Sequence, residues 1–535
     1  MNAKDLLAKG YFPKELPPAF TTKSFADKFS TIKASWELIP ADVRKKYTES
    51  KCIIYSIPRL YYSRRNLGVP NPLQQSILAE SIHDNWTHIH SFYQCSKIST
   101  SKPVVDPTNQ RAAITEKTFS EFKKACLIDS FDKLYEVKTD ISRFYPTIYT
   151  HVIPWALHTK AIAKTMSGRN DHSLLGNILD KNVRRCQSGQ TNGIPIGPDT
   201  SLIISEIIAC KIDEILQDKF SSIKAYRYYD DYYFFVSTLE DAEKILKTLQ
   251  HTLTDFNLDI NEEKTNINKC PIPFESEWSI RISSFYFREN EKSQEKDISN
   301  FFSLSFQLAK ENPKDAVLQY VVKRLESVHI FDKNWPFFES LLLKTALSEP
   351  LTLPEVTRIL ISYEHLVNCN KLQKVVEGLI ENHISKGHSF EVSWTLWLAK
   401  TFKLVIKEEL AEKIFSSNDV FSILIALDLK SNKLINQSIA VPDLVAELTE
   451  KSFFEEKWLL TYESIIKKWL EPSPNNLLDK NPFFKLLKDN NVTFYDVSQQ
   501  LESIKLKKSK SKIGRRRKAA DTSFLHYLTS TKDKY

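Results

Sequence analysis

Glycine is scarce in this chain. There are ten in 535 residues, and five of them fall between Gly168 and Gly197. Backbone freedom is therefore concentrated in one stretch rather than spread over many loops. No run of about 18 apolar residues suited to crossing a bilayer is present, and the opening MNAKDLLAKGYFPKE is too polar for a secretion signal. The expectation is a cytoplasmic protein with no membrane partner. Cys52, Cys95, Cys126, Cys186, Cys210, Cys270 and Cys369 form no CxxC pair and have no nearby histidine. That argues against a zinc framework or a disulfide scaffold and for reduced packing residues.

What is present suits a folded chain of two to four domains: 42% apolar and 26% charged residues over 535 positions. The formal charge of +8 favours a polyanionic partner only weakly, because residues 501–518 alone hold nine Lys/Arg against one acid. A solvated flexible tail and a nonspecific phosphate-binding arm both fit such a block. From 51 to about 290, β-rich pieces alternate with helices. Strand character is predicted at 51–60, before Asp140 and at 279–288, and helices at 72–90, 200–218 and 239–255. Beyond 290 the pattern changes to serial segments with apolar residues at helical spacing, at 316–328, 335–347, 351–367, 372–384 and 390–406. These predict a helical array without a strict period, one face buried and a concave surface exposed. A short terminal helix is predicted at 521–528.

The chemistry concentrates in acids. Asp140 follows an apolar, strand-like stretch at 135–139, and Asp230 and Asp231 sit inside AYRYYDDYYFFV at 225–236. Aromatic, β-favouring residues on both sides of a polar pair predict a tight hairpin presenting carboxylates at its tip. Two or three converging carboxylates are what two divalent ions need to bridge a nucleotide's phosphates and activate an attacking hydroxyl. Adjacent like charges repel and lose solvation when enclosed, so a cation is their natural partner. Asp140, Asp230 and Asp231 are therefore the candidate catalytic residues and metal ligands, with the Ile141 carbonyl as a further oxygen donor. Successive strand side chains face opposite ways, which favours Asp230 as the ligand beside Asp140, with Asp231 in support. Solvated turn acids are the alternative.

Other residues form a setting for these three. Tyr145 offers a flat ring that can lie beneath an incoming sugar, excluding a 2′-hydroxyl and favouring DNA precursors; core packing is its other reading. Gly193, Pro195 and Gly197 form a loop that lets backbone approach a ligand closely. Thr200 and Ser201 follow as expected N-caps of a helix whose free amides suit phosphate or sugar oxygens. Lys264, in NEEKT, is placed to neutralise or protonate departing pyrophosphate. Arg64 and Arg65, beside the Gly68–Pro70 turn, suit a triphosphate, although a solvated basic turn fits them too.

In their order these blocks resemble the reverse transcriptases. Asp140 matches the first catalytic Asp and Tyr228-Tyr229-Asp230-Asp231 the aromatic-x-Asp-Asp signature. Gly193-Ile194-Pro195-Ile196-Gly197 matches the Gly-x-Pro-Gln-Gly loop, and Lys264 the lysine after the palm helix. The resemblance covers roughly 50–290 and implies a fingers and palm layout, Mg²⁺ or Mn²⁺ as a two-ion site, and dNTPs as substrate. One position departs: Ile196 stands where the family has a template-side glutamine, and an aliphatic side chain makes no such hydrogen bond. Gln190, three residues before Gly193, is a candidate replacement.

GYFPKELPPAF at 10–20, DISRFYPTIYTH at 140–151, QTNGIPIGP and the long helical half resemble more narrowly the bacterial abortive-infection (Abi) reverse transcriptases, which are phage-defence proteins. That resemblance implies untemplated DNA synthesis started on a protein tyrosine, a single-stranded DNA product left covalently attached, and a homo-oligomer. Tyr11 and Tyr61 are the candidate priming residues. The expected fold is α+β: an N-terminal extension (1–50), reverse-transcriptase-like fingers and palm (51–290), an all-α, HEAT-like repeat domain in place of a thumb (291–500) and a basic tail (501–535). A conventional RNA- or DNA-templated reverse transcriptase and a non-catalytic nucleic-acid scaffold are the alternative functions.

Overall fold

The aromatic run at Asp231–Val236 forms an inner strand of an antiparallel sheet, and both of its faces are covered. The computed structural model describes residues 1–59, 63–221 and 223–504. The expected tail with its short helix, from 505 onward, and Tyr61 lie outside the described residues.

In chain order, β1 (Ile53–Pro58) and β2 (Arg64–Val69) pair antiparallel, with Ile53 opposite Val69 and Pro58 opposite Arg64. Helix α1 (Pro72–Asp84) follows, capped by the Asn71 side chain on the Leu73 amide. Strand β3 (Tyr135–Asp140), helix α2 (Asp199–Lys219), the hairpin β4 (Lys224–Tyr228) and β5 (Asp231–Val236), helix α3 (Leu239–Asp255) and strand β6 (Asn266–Lys269) come next. The sheet order is β4–β5–β3–β6, antiparallel throughout. Tyr232 and Phe234 of β5 enter the main core on the side of α2 and α3, while Tyr233 and Phe235 pack with Phe119, Phe122 and Cys126 on the other side. Burial of each such ring contributes about 1.5–3 kcal/mol. A strand covered on both faces reads as an unbroken apolar run rather than an alternation.

Three predicted elements differ. The segment 72–90 is two helices, α1 and Trp86–Phe92, interrupted at Asn85. The helix expected at 200–218 starts at Asp199 after Pro198, so Thr200 and Ser201 lie inside it, buried, rather than capping it. The strand expected at 279–288 is instead helix α4 (Glu277–Ser283) followed by irregular chain. Its β-branched and aromatic content suggested a strand, but Trp278 and Ile282, four apart, are both buried, so tertiary packing selects the helical period.

From α4 onward the described chain is helical, including α5 (Cys369–Ile384) and α6 (Ser389–Thr401), and successive helices pack on one another. The fold is α+β. Several hydrogen bonds and ion pairs join the helical half to the sheet half and to the N-terminal segment. Tyr55 of β1 hydrogen-bonds Ser393 of α6 at 2.9 Å. The amide of Thr21 donates to the Phe494 carbonyl at 2.9 Å, tying the N-terminal segment to the far end of the chain.

Beneath the β4–β5 turn lies a buried ion cluster that the sequence pattern did not announce. Arg227 of β4 donates to Glu206 (2.7 and 2.9 Å) and to Asp213 (2.8 Å) of α2. It also donates to the Tyr229 carbonyl at 2.7 Å. Burial works against every charge here. Arg227 nonetheless holds Glu206 below its ordinary range, whereas Asp213 stays above its own. The fork of the guanidinium satisfies both acids and the turn at once. Removing one partner of such a cluster strands buried charge at a cost of about 3–5 kcal/mol. Arg227→Met should therefore advance the unfolding transition by about that amount in thermal or urea melts, with Arg227→Lys intermediate. A variant melting with the parent would mean that the turn does not depend on this cluster.

Candidate active site

Asp140 ends β3 directly opposite Asp231, the first residue of β5, so their side chains leave the same face of the sheet. Asp230 occupies the turn between β4 and β5, where Tyr229 adopts a left-handed φ of 55°. The turn is tied to β3 by the Ile141 amide donating to the Asp230 carbonyl at 3.1 Å. A third segment closes the other side: the Asn261 amide donates to the Asp140 carbonyl at 2.7 Å and Ser142 to the Asp259 carbonyl at 2.8 Å. The ammonium of Lys264, just beyond, rests on Asp140 Oδ2. Acids 90 residues apart thus meet because three neighbouring backbone segments are laced together.

The electrostatics match that crowding. Burial, then the charges of Asp140 and Asp231, push the Asp230 carboxyl well above the usual carboxylate range. Burial alone would lower Lys264, but the Asp140 charge and hydrogen bond hold it above its ordinary value. Asp140 Oδ1 is buried and no hydrogen-bond donor among the described residues reaches it. An acceptor without a donor, beside two further carboxyls, is a site that suits a cation. The donor set is all oxygen, which fits a hard ion such as Mg²⁺ or Mn²⁺. Asp140, Asp230, Asp231 and the Ile141 carbonyl are the groups able to hold it.

Asp140, Ile141, Asp230 and Lys264 border a cavity of about 730 Å³. Tyr145 lies in its wall with its hydroxyl 3.1 Å from Ser205 Oγ, and burial raises that hydroxyl's pKa. The loop carrying Gly193 and Gly197 lies alongside. The Gly193 amide donates to the Ile148 carbonyl at 2.8 Å, and the Ile196 carbonyl accepts from Gly68 of β2 at 2.8 Å. Gly193 (φ 77°) and Gly197 (φ 122°) need the positive region, and a Cβ on Gly197 would lie 2.8 Å from the Pro13 ring. Gln190 and Ile196 both line the cavity.

The two neighbouring arginines of β2 differ in their surroundings. Arg65 is largely buried at the cavity, where burial and Arg59 pull its pKa down while Asp230 acts the other way. Arg64 also borders the cavity, but its guanidinium is engaged by both carboxylate oxygens of Glu391 in α6, with Ser56 as a further partner. That ion pair with the helical half occupies the donors expected to meet a triphosphate. The start of α2 is likewise occupied: the Asp199 amide donates to the Gly10 carbonyl at 2.7 Å, Thr200 bonds Gln75, and Asp199 pairs with Arg111. It is not the open anion site expected from Thr200 and Ser201. Tyr11 is wholly buried and donates its hydroxyl to the Pro70 carbonyl at 2.5 Å. Burial raises it well above a normal phenol, so the expectation that Tyr11 primes fails in this arrangement.

Asn261, Arg143 and Arg59 also line the cavity and were not singled out from sequence. Asn261 carried the best signal, as the first residue of the motif that contains Lys264. Arg59 and Arg143 stand alone in the sequence with no partner at a fixed spacing.

Residues 91–291 match the family model described as reverse transcriptase (RNA-dependent DNA polymerase). The chain therefore carries a reverse transcriptase domain around the three acids. No curated protein matches the chain. Similar solved structures include an apo telomerase from Candida tropicalis truncated from its C-terminal domain, at 14% identity and TM-score 0.29, covering 48% of this chain and 56% of that one. The apo telomerase from the same organism matches at 12% identity and TM-score 0.30, covering 72% and 70%. Telomerase from Candida albicans in complex with a TWJ fragment of telomeric RNA matches at 11% and 0.28, covering 77% and 70%. The chain thus spans little more than half the length of the first of these, and at such scores the likeness carries no functional argument.

In metal-free protein the raised Asp230 carboxyl favours the folded state when protonated. Wild-type stability contributed by this group is fully present below about pH 4, the ordinary carboxylate value, and declines as pH rises toward the higher native value. Asp230→Asn removes that slope, so the variant should melt above the parent at neutral pH, by roughly 1 °C per kcal/mol relieved for a chain of this length. Melts in chelator between acid and neutral pH check this; an unchanged slope would contradict it.

Proposed function

We propose that the chain is a template-independent, tyrosine-primed DNA polymerase that transfers deoxynucleotides from dNTPs with release of pyrophosphate, acting in the cytoplasm in antiphage abortive infection. The observation that carries the polymerase reading is the convergence of Asp140, Asp230 and Asp231, the first two lining a cavity of nucleotide size and Asp140 carrying an undonated carboxylate oxygen. Ile196 at that cavity supports template independence, because its side chain has no hydrogen bond to offer a template-pairing base. Protein priming, the covalently attached single-stranded product and a homo-oligomer rest on the Abi resemblance.

Mg²⁺ or Mn²⁺ at the carboxylates supplies phosphate charge neutralisation and an activated hydroxyl nucleophile. The chain's own residues then divide the work. Asp140, Asp230, Asp231 and the Ile141 carbonyl hold the cations. Lys264 leaves Asp140 for the departing pyrophosphate, which it neutralises or protonates. Arg65 meets the triphosphate, and Tyr145 stacks beneath the sugar and disfavours a 2′-hydroxyl. Gly193 and Gly197 let backbone come close to the nucleotide. With Tyr11 buried, Tyr61 is the retained priming candidate.

A conventional templated reverse transcriptase is the second reading. It is favoured by the match to an RNA-dependent polymerase model and by Gln190 at the cavity, a side chain able to hydrogen-bond a base.

Incubating the protein with labelled dNTPs and Mg²⁺ or Mn²⁺, without nucleic acid, should give label that stays with the protein through denaturing electrophoresis. Strict dependence on an added primer–template would favour the second reading instead. Asp140→Asn or Asp230→Asn should lower incorporation by at least about 100-fold, in line with loss of a group that stabilises transition-state charge. Tyr61→Phe should abolish the protein adduct, and Tyr11→Phe should leave it; the reverse pattern would discard Tyr61.

A further inference from the structure

A short turn joins α5 to α6 in the helical half, and it folds two imidazoles onto one carboxylate. His383 lies in the last turn of α5, His388 is the residue before α6, and Glu391 is in the first turn of α6. Gly387, at φ 65°, lets the chain double back, and the His388 amide donates to the His383 carbonyl at 3.3 Å. The two Nδ1 atoms come to 2.8 Å from each other. Glu391 Oε1 lies 3.5 Å from His388 Nδ1 and 3.9 Å from His383 Nδ1.

Two facing imidazole nitrogens accommodate each other only while the pair keeps one proton between them, and two cations would repel. Burial lowers the pKa of both rings, which favours the neutral form that ligates metals. Three donor atoms within 4.8 Å of one another span the first coordination shell of one ion. Zinc–nitrogen bonds of about 2.0–2.1 Å in a tetrahedral site put the two nitrogens roughly 3.3 Å apart. The rings therefore need to part by about half an ångström to admit the ion. His388 also borders a cavity of about 630 Å³, together with Ser385, Asn418 and Asp419, so solvent can complete the coordination. Arg64 holds both carboxylate oxygens of Glu391, Oε1 through Nη1 and Oε2 through Nη2 at 2.9 Å, which orients Oε1 toward the imidazoles.

We infer that His383, His388 and Glu391 form a binding site for one Zn²⁺-class transition-metal ion, separate from the catalytic carboxylates. Two imidazoles and one carboxylate suit Zn²⁺ far better than Mg²⁺, which prefers oxygen ligands. The ion fixes Glu391, Glu391 holds Arg64 of β2, and the next residue of β2 is Arg65 at the catalytic cavity. Metal occupancy thus stiffens the link between the helical half and the fingers hairpin. This inference stands whether or not the chain polymerises DNA.

The test is a Zn²⁺ titration of the chelator-treated full chain against a chromophoric competitor, in excess Mg²⁺ so that the oxygen-rich catalytic site is saturated. The expected result is one tightly held Zn²⁺ per chain, unchanged in Asp230→Asn. It should be weakened at least about 10-fold in His383→Asn/His388→Asn. Co²⁺ in place of Zn²⁺ should give visible absorption that the double variant lacks. Should the double variant fail to fold by circular dichroism, His388→Asn alone serves, with the same loss expected. Absence of stoichiometric Zn²⁺ in the parent, or equal affinity in the histidine variants, overturns the site.

Discussion

Like charge held in a dry place is the constraint on which this molecule is organised. Asp140, Asp230 and the half-buried Asp231 repel one another, and burial deprives the first two of the water that would screen them. Lys264 on Asp140 offsets part of that repulsion. The rest is borne by structure: the laced backbones at Ile141, Ser142 and Asn261, and the Arg227–Glu206–Asp213 cluster one layer below. That cluster carries one more acid than base, so the turn above it is held by an interaction that is itself costly to bury. Such an arrangement keeps the carboxylates together instead of letting them swing apart into solvent.

The same layering explains the position of the helical half. β1 and β2 form a two-stranded ribbon, which is marginal by itself. Tyr55 and Arg64 anchor it to α6, and Gly68 ties it to the glycine loop. Arg64 is thereby taken up in a structural contact with the helical half while bordering the cavity, where Arg65 also lies. The N-terminal segment contributes from below, with Tyr11 on Pro70 and Gly10 against Asp199, where an added Cβ would lie 2.7 Å from a carboxylate oxygen.

Much of the local structure was legible. The acids at a strand end and at a hairpin tip are consequences of β-favouring aromatic runs interrupted by Asp-Asp, and 239–255 reads as a helix because its apolar residues recur every three to four positions. Segment 279–288 misled because residue type and period disagreed there, and the period prevailed. Arg227 was passed over as one polar residue in an aromatic strand. Its partners Glu206 and Asp213 are seven apart on a mostly buried helix, a spacing that places both on one face, and this was the available signal.

By itself the sequence determined the residue types, the strand and helix periods, and therefore where each carboxylate could lie along its own element. Only the tertiary structure decided which side chains meet. It turned Arg64 toward Glu391, buried the Tyr11 hydroxyl, closed the α2 N-terminus with Gly10 and Arg111, and brought His383, His388 and Glu391 together. The physical reason is that periodicity acts over a few residues, whereas burial and charge pairing act between segments tens to hundreds of residues apart. Those long-range terms select among side-chain partners that local pattern leaves equivalent.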